Sequence, residues 1–92
     1  PFSSYMGESL TVTVRYTRKI QSRMEQLLGA LDNDVTALQE GDLYETSFPV
    51  SDTDYLCKQL FLFGRDVEIT GPKEVRDRMI RLLRGSMEAY KE

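Results

Sequence analysis

The chain has 92 residues, of which 40% are hydrophobic and 29% charged, so it predicts one globular domain without a membrane-spanning segment or a signal peptide. It contains no histidine, which excludes Ser-His-Asp and Cys-His catalysis and histidine-based zinc sites, and its one cysteine, Cys57, favours a reducing compartment such as the cytoplasm. The net charge of −3 argues against a broad electrostatic surface for nucleic acid.

The first two predicted elements are a strand and a helix. Residues 10–16, LTVTVRY, alternate strictly between apolar and polar side chains, which is typical of a strand with one buried face. Thr17 is the expected N-cap of a helix whose apolar residues lie at i, i+4, i+7 and i+8, namely Ile20, Met24, Leu27 and Leu28. Gly29 stands near the expected end of this helix.

A hairpin and a second helix follow. The segments DVTAL and LYETSFPV predict two strands, and QEGD between them supplies a glycine-containing turn. Ser51 and Asp54 have the spacing of a capping box at the start of the second helix, and Gly64 closes that helix.

The last two elements are a strand and a helix. The segment DVEIT predicts a fourth strand, and Pro72 suits the first turn of a final helix that extends to Tyr90. The complete order, β-α-β-β-α-β-α, predicts an α+β fold: a ferredoxin-like βαββαβ sandwich with a four-stranded antiparallel sheet, plus an extra C-terminal helix. The expected strand order is 4-1-3-2, with two helices on one face of the sheet.

The final helix has an unusually wide apolar arc. Its apolar side chains cover roughly half of the circumference at 100° per residue, more than one packing surface needs. They are Val75, Met79, Ile80, Leu82, Leu83, Met87 and Tyr90. The helix either lies in a groove of its own domain or also contacts a subunit or another domain. Arg76 falls inside the arc, where its stem can pack while its guanidinium reaches a carboxylate.

Two polar surfaces each allow two interpretations. The arginines at 78, 81 and 84 are either a nucleic-acid contact or, as we expect, a solvated face neutralised by i,i+4 neighbours. The predicted pairs are Glu74–Arg78, Asp77–Arg81 and Arg84–Glu88. The sheet face opposite the core helices either binds a ligand or another sheet, or is an ordinary solvated face. It would present Thr11, Thr13, Arg15, Leu43, Glu45, Ser47, Glu68 and Thr70.

No motif indicates catalysis. The segment GRD lacks the glycine spacing of a phosphate loop, and GxxxxGK[ST] does not occur. Ferredoxin-like enzymes of the acylphosphatase type need a phosphate-cradling loop after the first strand, and residues 16–19 contain no glycine to form one. We therefore expect neither enzymatic activity nor a cofactor or metal.

Both ends of the chain resemble one family. The start, PFSSYMGESLTVTVRY, is similar to the family's linker into an alternating first strand. Near its end the chain reads LFLFGRDVEITGPKEVRDRMIRLLRGSMEAY. This segment is similar to the family pattern W-L-L-x-F-G-x-x-V-x-V-x-x-P-x-x-[LV]-R, which is followed by a helix. The matching positions are Phe63, Gly64, Val67, Ile69, Pro72, Val75, Arg76 and Tyr90. The chain thus resembles the WCX domain, the C-terminal extension of WYL-domain helix-turn-helix transcriptional regulators. A tryptophan common in the family is absent, and Tyr55, Phe61 and Phe63 are candidate substitutes.

The resemblance implies a C-terminal regulatory and dimerisation domain of a bacterial, cytoplasmic regulator. Because the chain begins at Pro1 rather than Met, we expect residues 1–8 to be a linker from a missing upstream domain and residues 9–92 to form the single domain. The parent protein would be a homodimer that binds DNA through its helix-turn-helix and responds to a nucleotide or nucleic-acid effector, with upstream WYL and helix-turn-helix domains as partners.

The same resemblance selects candidate residues. Arg76 stands at the family's arginine position and is the first candidate contact to an effector or an interface, followed by Arg15 and Arg65. The candidate dimer or interdomain face comprises Met79, Ile80, Leu83, Met87 and Tyr90. The alternative is a stand-alone ferredoxin-like module that binds a small ligand on its open sheet face.

Overall fold

The computed structural model describes residues 9–31 and 37–91. The elements are β1 (Leu10–Thr17), a 3-10 turn (Arg18–Ile20), α1 (Gln21–Ala30), β2 (Leu38–Glu40), β3 (Leu43–Val50), α2 (Thr53–Phe61), a 3-10 turn (Gly64–Asp66), β4 (Val67–Gly71) and α3 (Lys73–Glu88). This succession confirms the predicted β-α-β-β-α-β-α order and the α+β class. The predicted linker over residues 1–8 lies outside the described residues.

The four strands form one antiparallel sheet in the order β2-β3-β1-β4, which is the predicted order read from the other edge. β1 pairs with β3 along its whole length, from Leu10 opposite Val50 to Thr17 opposite Leu43. On its other side β1 pairs with β4, where Val14 lies opposite Ile69. β2 and β4 are therefore the two edges of the sheet.

One hydrophobic core lies between the sheet and the three helices. Its buried strand residues alternate along β1 and β3, as the period of two requires. The buried residues contributed by the helices are Met24 and Leu28 of α1, Leu56, Cys57 and Leu60 of α2, and Val75 and Met79 of α3. The extra C-terminal helix is thus part of the core.

The hairpin differs from its prediction. Gln39 and Glu40 belong to β2, and Glu40 lies opposite Leu43, so the turn consists of Gly41 and Asp42 alone. Gly41 has a φ of +62°, a conformation that glycine accepts without a steric cost, and this permits the two-residue turn. Most of the strand predicted from DVTAL lies outside the described residues, which exclude 32–36.

Neither predicted capping hydrogen bond forms. Thr17 takes the N-cap position of the 3-10 turn that leads into α1, but its hydroxyl donates a hydrogen bond to Asp66 Oδ1 at 3.1 Å and makes no capping bond. At α2 the cap is Asp52, whose carboxylate accepts the N–H of Tyr55 at 2.9 Å. A carboxylate is a good acceptor at this position and replaces the predicted Ser51.

Within the described part of the chain, none of the helices combines the length and the apolar character that crossing a membrane requires.

Candidate interaction site at the β4 edge

A cleft of about 150 Å³ lies between the end of α2, strand β4 and helix α3. Its walls are mostly apolar, and its residues include Phe61, Val67, Ile69, Met79, Ile80 and Leu83. Two charged side chains, Arg76 and Glu68, stand at its rim. The cleft therefore combines an apolar interior with one ion pair, and it lies along an edge of the sheet.

Arg76 connects α3 to β4. Its Nη1 donates hydrogen bonds to Glu68 Oε2 at 2.9 Å and to the backbone carbonyl of Ile69 at 2.9 Å. The expectation that this guanidinium reaches a carboxylate is confirmed. Among the described residues β4 is an edge strand, so no described strand pairs with its outer side, and Arg76 gives one of its carbonyls a side-chain donor.

The apolar arc of α3 divides into two strips. The inner strip, Val75, Met79 and Leu82, faces the core: the first two residues are buried and the third is half-buried. The outer strip consists of Ile80, Leu83 and Met87 of α3 and of Tyr90, which lies in the turn after the helix because α3 ends at Glu88 rather than at the predicted Tyr90. The domain half-covers Ile80 and leaves Leu83, Met87 and Tyr90 exposed by 43%, 73% and 88%. The domain itself thus buries only part of the arc.

Comparison with known families matches this chain with the model of the WCX domain over residues 8–87. The chain is a WCX domain. WCX domains are regulatory domains of WYL-type transcriptional regulators and not a known family of enzymes. The resemblance inferred from both ends of the sequence is confirmed. A search among curated proteins finds no match.

The aromatic residues proposed to replace the family's tryptophan occupy different environments in this WCX domain. Phe61 and Phe63 are half-buried against the core, and Phe61 lines the cleft. The guanidinium carbon of Arg23 lies 5.5 Å from the centre of the Phe63 ring, in cation–π geometry. Tyr55 is exposed. Phe61 is therefore the substitute that borders the candidate site.

The other two candidate arginines lie apart from Arg76. Arg15 is on the open face of the sheet, 3.9 Å from Glu45, and lines a second depression of about 300 Å³ that also includes Leu38 and Leu43. Arg65 is exposed in the 3-10 turn after α2, next to Gly64, which lines the cleft. Of the predicted arginines, only Arg76 belongs to the cleft.

Three hydroxyl groups of the open sheet face, those of Thr13, Ser47 and Thr70, form hydrogen bonds within this WCX domain. The hydroxyls of Thr13 and Ser47 are 2.7 Å apart, and Thr70 donates its hydroxyl to the carbonyl of Thr13 at 3.2 Å. A face whose polar groups already have partners offers a ligand fewer free donors and acceptors. The geometry therefore favours the cleft over the open face as the candidate site.

The charged face of α3 is neutralised differently from the prediction. The ion pairs of Arg78, Asp77 and Glu88 are with Asp54, Lys73 and Lys91 respectively. The hydrogen bond from Arg78 to Asp54 links α3 to α2 and raises the pKa of the arginine. The hydrogen bond from Lys73 lowers the pKa of the Asp77 carboxyl. Two of the expected neighbours act without forming an ion pair: the charge of Glu74 also raises the pKa of Arg78, and the charge of Arg81 also lowers the pKa of Asp77.

Sequence reasoning missed Glu68 as the partner of Arg76. The two residues are eight positions apart, in different elements, so neither helical nor strand periodicity relates them. The order of the elements was the available signal. The edge strand contains an acidic residue, and a short turn connects this strand directly to a helix that carries an arginine in its first turns. Such a helix folds back along that strand.

Proposed function

We propose that this WCX domain regulates a WYL-type transcription regulator by making protein contacts through the outer strip and the adjoining cleft. These contacts would contribute to self-association and to the response to an effector. The parent would be a bacterial, cytoplasmic regulator whose WYL and helix-turn-helix domains, upstream in the same chain, sense a nucleotide or nucleic-acid effector and bind DNA. The observation that supports this proposal is that Leu83 and Met87 of α3, and Tyr90 in the turn that follows it, have exposed apolar side chains. Contiguous exposed apolar surface is typical of an interaction site.

Arg76 supplies the polar component of this proposed contact. A guanidinium has five N–H donors, and both observed hydrogen bonds of Arg76 use the same nitrogen, Nη1. Donors on the other two nitrogens therefore remain for a carbonyl, a carboxylate or a phosphate of a partner or effector. Arg76 is the residue through which an apolar contact and an effector response would be coupled. Arg65, exposed beside the same cleft, is a weaker candidate.

Sedimentation of the 92-residue chain and of the parent protein tests this function. We expect a concentration-dependent dimer that Met87→Lys dissociates, because the substitution places a charge within the outer strip. Leu38→Lys is the matched control, since Leu38 is 74% exposed, close to the 73% of Met87, but lies on the opposite edge of the sheet. An intact parent that is monomeric across the micromolar range would refute the proposal.

The open sheet face supports one alternative, a stand-alone module that binds a small ligand. The depression beside Arg15 and Leu43 is the observation in its favour. The genomic reading frame upstream of Pro1 separates the two functions. Codons for a WYL domain and a helix-turn-helix would support the regulator, whereas a stop codon or an enzyme domain would support the alternative.

A further inference from the structure

The cleft beside β4 has the size of one apolar side chain. Its volume is about 150 Å³, and its lining includes Phe61, Val67, Ile80 and Leu83. An apolar protein cavity of about this volume, lined by leucine, isoleucine and phenylalanine, accommodates a benzene ring. The cleft is therefore large enough for the side chain of phenylalanine, leucine or methionine.

Opposite charges stand together at the rim of this cleft. Arg76 and Glu68 are 2.9 Å apart, and their side chains are 44% and 54% exposed. Because the two charges cancel, a ligand that carries only negative charge, such as a phosphate, would meet attraction from Arg76 and repulsion from Glu68 at similar distances. The rim instead favours a ligand with one positive and one negative charge.

Both rim residues keep unused hydrogen-bonding groups. Arg76 bonds to Glu68 and to the Ile69 carbonyl through Nη1, so within the described residues Nε and Nη2 have no acceptor. These two nitrogens lie side by side on the other edge of the guanidinium, where a carboxylate binds with two parallel hydrogen bonds. Glu68 accepts through Oε2, which leaves Oε1 as an acceptor for an ammonium group.

We propose that the cleft binds a free amino acid with an apolar side chain of medium size. The carboxylate of the ligand bonds to Nε and Nη2 of Arg76, its ammonium group donates to Oε1 of Glu68, and its side chain fills the cleft. This inference rests on the proposed function, in which the cleft takes part in the response to an effector. It adds a small zwitterionic ligand to the nucleotide or nucleic-acid effector proposed for the upstream domains.

A free amino acid matches the site better than a segment of another protein does. Within a polypeptide, the amino and carboxyl groups of each residue are joined in peptide bonds. A helix laid over the cleft would fill it with one side chain but would bring neither charge to the rim. Such a helix would also remove water from Arg76 and Glu68 without giving them new partners, which costs free energy.

Binding in the cleft would reach three elements and the outer strip. Phe61 belongs to the end of α2, Glu68 to β4 and Leu83 to α3, and Leu83 is also part of the outer strip. An occupied cleft therefore changes the apolar surface that the domain offers to a protein partner. Because the ligand is small and the rim is half-exposed, we expect a dissociation constant of roughly 0.1–1 mM.

Titration of the isotope-labelled 92-residue chain with phenylalanine, followed by amide NMR, tests the site. The amide signal of Gly64, which lines the cleft, should shift and saturate. Gly41 is the control, because it also has a positive φ but lies in the hairpin turn between β2 and β3. The absence of any cleft shift with phenylalanine, leucine and methionine, each well above the expected dissociation constant, would overturn the proposal.

Analogues of phenylalanine test the two charges on the unsubstituted chain. Phenylpropanoate lacks the ammonium group and phenylethylamine lacks the carboxylate, so each should bind at least about tenfold more weakly than phenylalanine. Glycine keeps both charges but has no side chain to fill the cleft, and it should not bind detectably. Equal affinities for phenylpropanoate and phenylalanine would overturn the assignment of a zwitterionic ligand.

Substitutions at the rim test the same contacts from the protein side. Arg76→Gln and Glu68→Gln should each weaken the binding of phenylalanine at least about tenfold. Arg81→Gln is the control on the same helix, outside the cleft. Glu45→Gln is the control for Glu68, since Glu45 is also half-exposed and paired with an arginine, at 3.9 Å on the open sheet face. Equal losses for Glu45→Gln and Glu68→Gln would contradict the site.

The outcomes separate this inference from the proposed function. A dimer in sedimentation that Met87→Lys dissociates, combined with no response to any amino acid, would overturn the ligand site and leave the proposed function standing. Saturable binding that depends on Arg76 and Glu68, with a parent protein that stays monomeric, would support the ligand site and overturn the proposed self-association. Neither binding nor a dimer would overturn both.

Discussion

The two apolar strips of α3 have similar chemistry and opposite surroundings. In the inner strip, Val75 and Met79 are buried in the core, whereas in the outer strip Met87 and Tyr90 are exposed by 73% and 88%. Both strips contain a methionine and large aliphatic side chains on the same helix. The difference shows that hydrophobic periodicity identifies the side chains that favour burial. It does not identify whether the domain itself or another protein surface covers them.

The largest effect expected from this comparison is the loss of an inner-strip side chain. Met79→Ala should lower the free energy of unfolding by about 2–5 kcal/mol, because it removes buried contacts and leaves a cavity. Urea denaturation followed by circular dichroism measures this change. Met87→Ala is the control in the outer strip, and its effect on the unfolding of the monomer should stay within about 0.5 kcal/mol. Equal losses for both variants would contradict the division of α3 into two strips.

An intermediate effect is expected at Arg76, which adjoins both the outer strip and the β4 edge. Arg76→Ala removes the hydrogen bonds to Glu68 and to the Ile69 carbonyl, and both charged side chains are about half exposed. We expect a loss of about 1 kcal/mol in unfolding free energy, together with weaker self-association or effector response. Arg81→Ala is the control, because Arg81 forms no ion pair with the described residues. Equal, negligible effects of the two substitutions would show that the position of Arg76 is incidental.

The smallest effect is expected on the polar side of α3. The pKa of Asp77 is lowered in the folded chain by its hydrogen bond from Lys73, so the carboxylate stabilises the fold at a pH above its unfolded pKa of about 4. This contribution is lost as the pH falls through the lower folded pKa. The urea midpoint of Asp77→Asn should therefore lie slightly below that of the unsubstituted chain at neutral pH and coincide with it in strong acid.

Much of the fold could be predicted because its signals are local. The strict alternation of residues 10–16 and the helical spacing of residues 20–28 each follow from the geometry of a single element. The rules for how successive strands and helices connect then predicted the strand order, which the structure confirms. The predicted capping hydrogen bonds of Thr17 and Ser51 do not form, because a side chain bonds to the donors and acceptors that are nearest to it in space. Thr17 bonds to Asp66, a residue 49 positions away.

The candidate site was predictable only in part. The place of Arg76 within an apolar arc indicated that it needs a carboxylate, but only the fold supplies Glu68. The ion pairs of α3 depend on the fold for the same reason, since Arg78 forms its ion pair with Asp54 of α2 rather than with the helical neighbour expected for it. The apolar cleft has no signal in any single element, because α2, β4 and α3 form it together.

The sequence by itself determined the type and order of the strands and α-helices, the buried side of β1, β3 and β4, and the family resemblance, because these depend on periodicity within short segments. Only the tertiary structure decided which half of the α3 arc the domain covers, which carboxylate meets Arg76, and that Arg15 and Arg65 lie outside the cleft. These depend on distances between segments far apart in the chain. The exposed outer strip is the product of both: the residue pattern makes it apolar, and the packing of the domain leaves it uncovered.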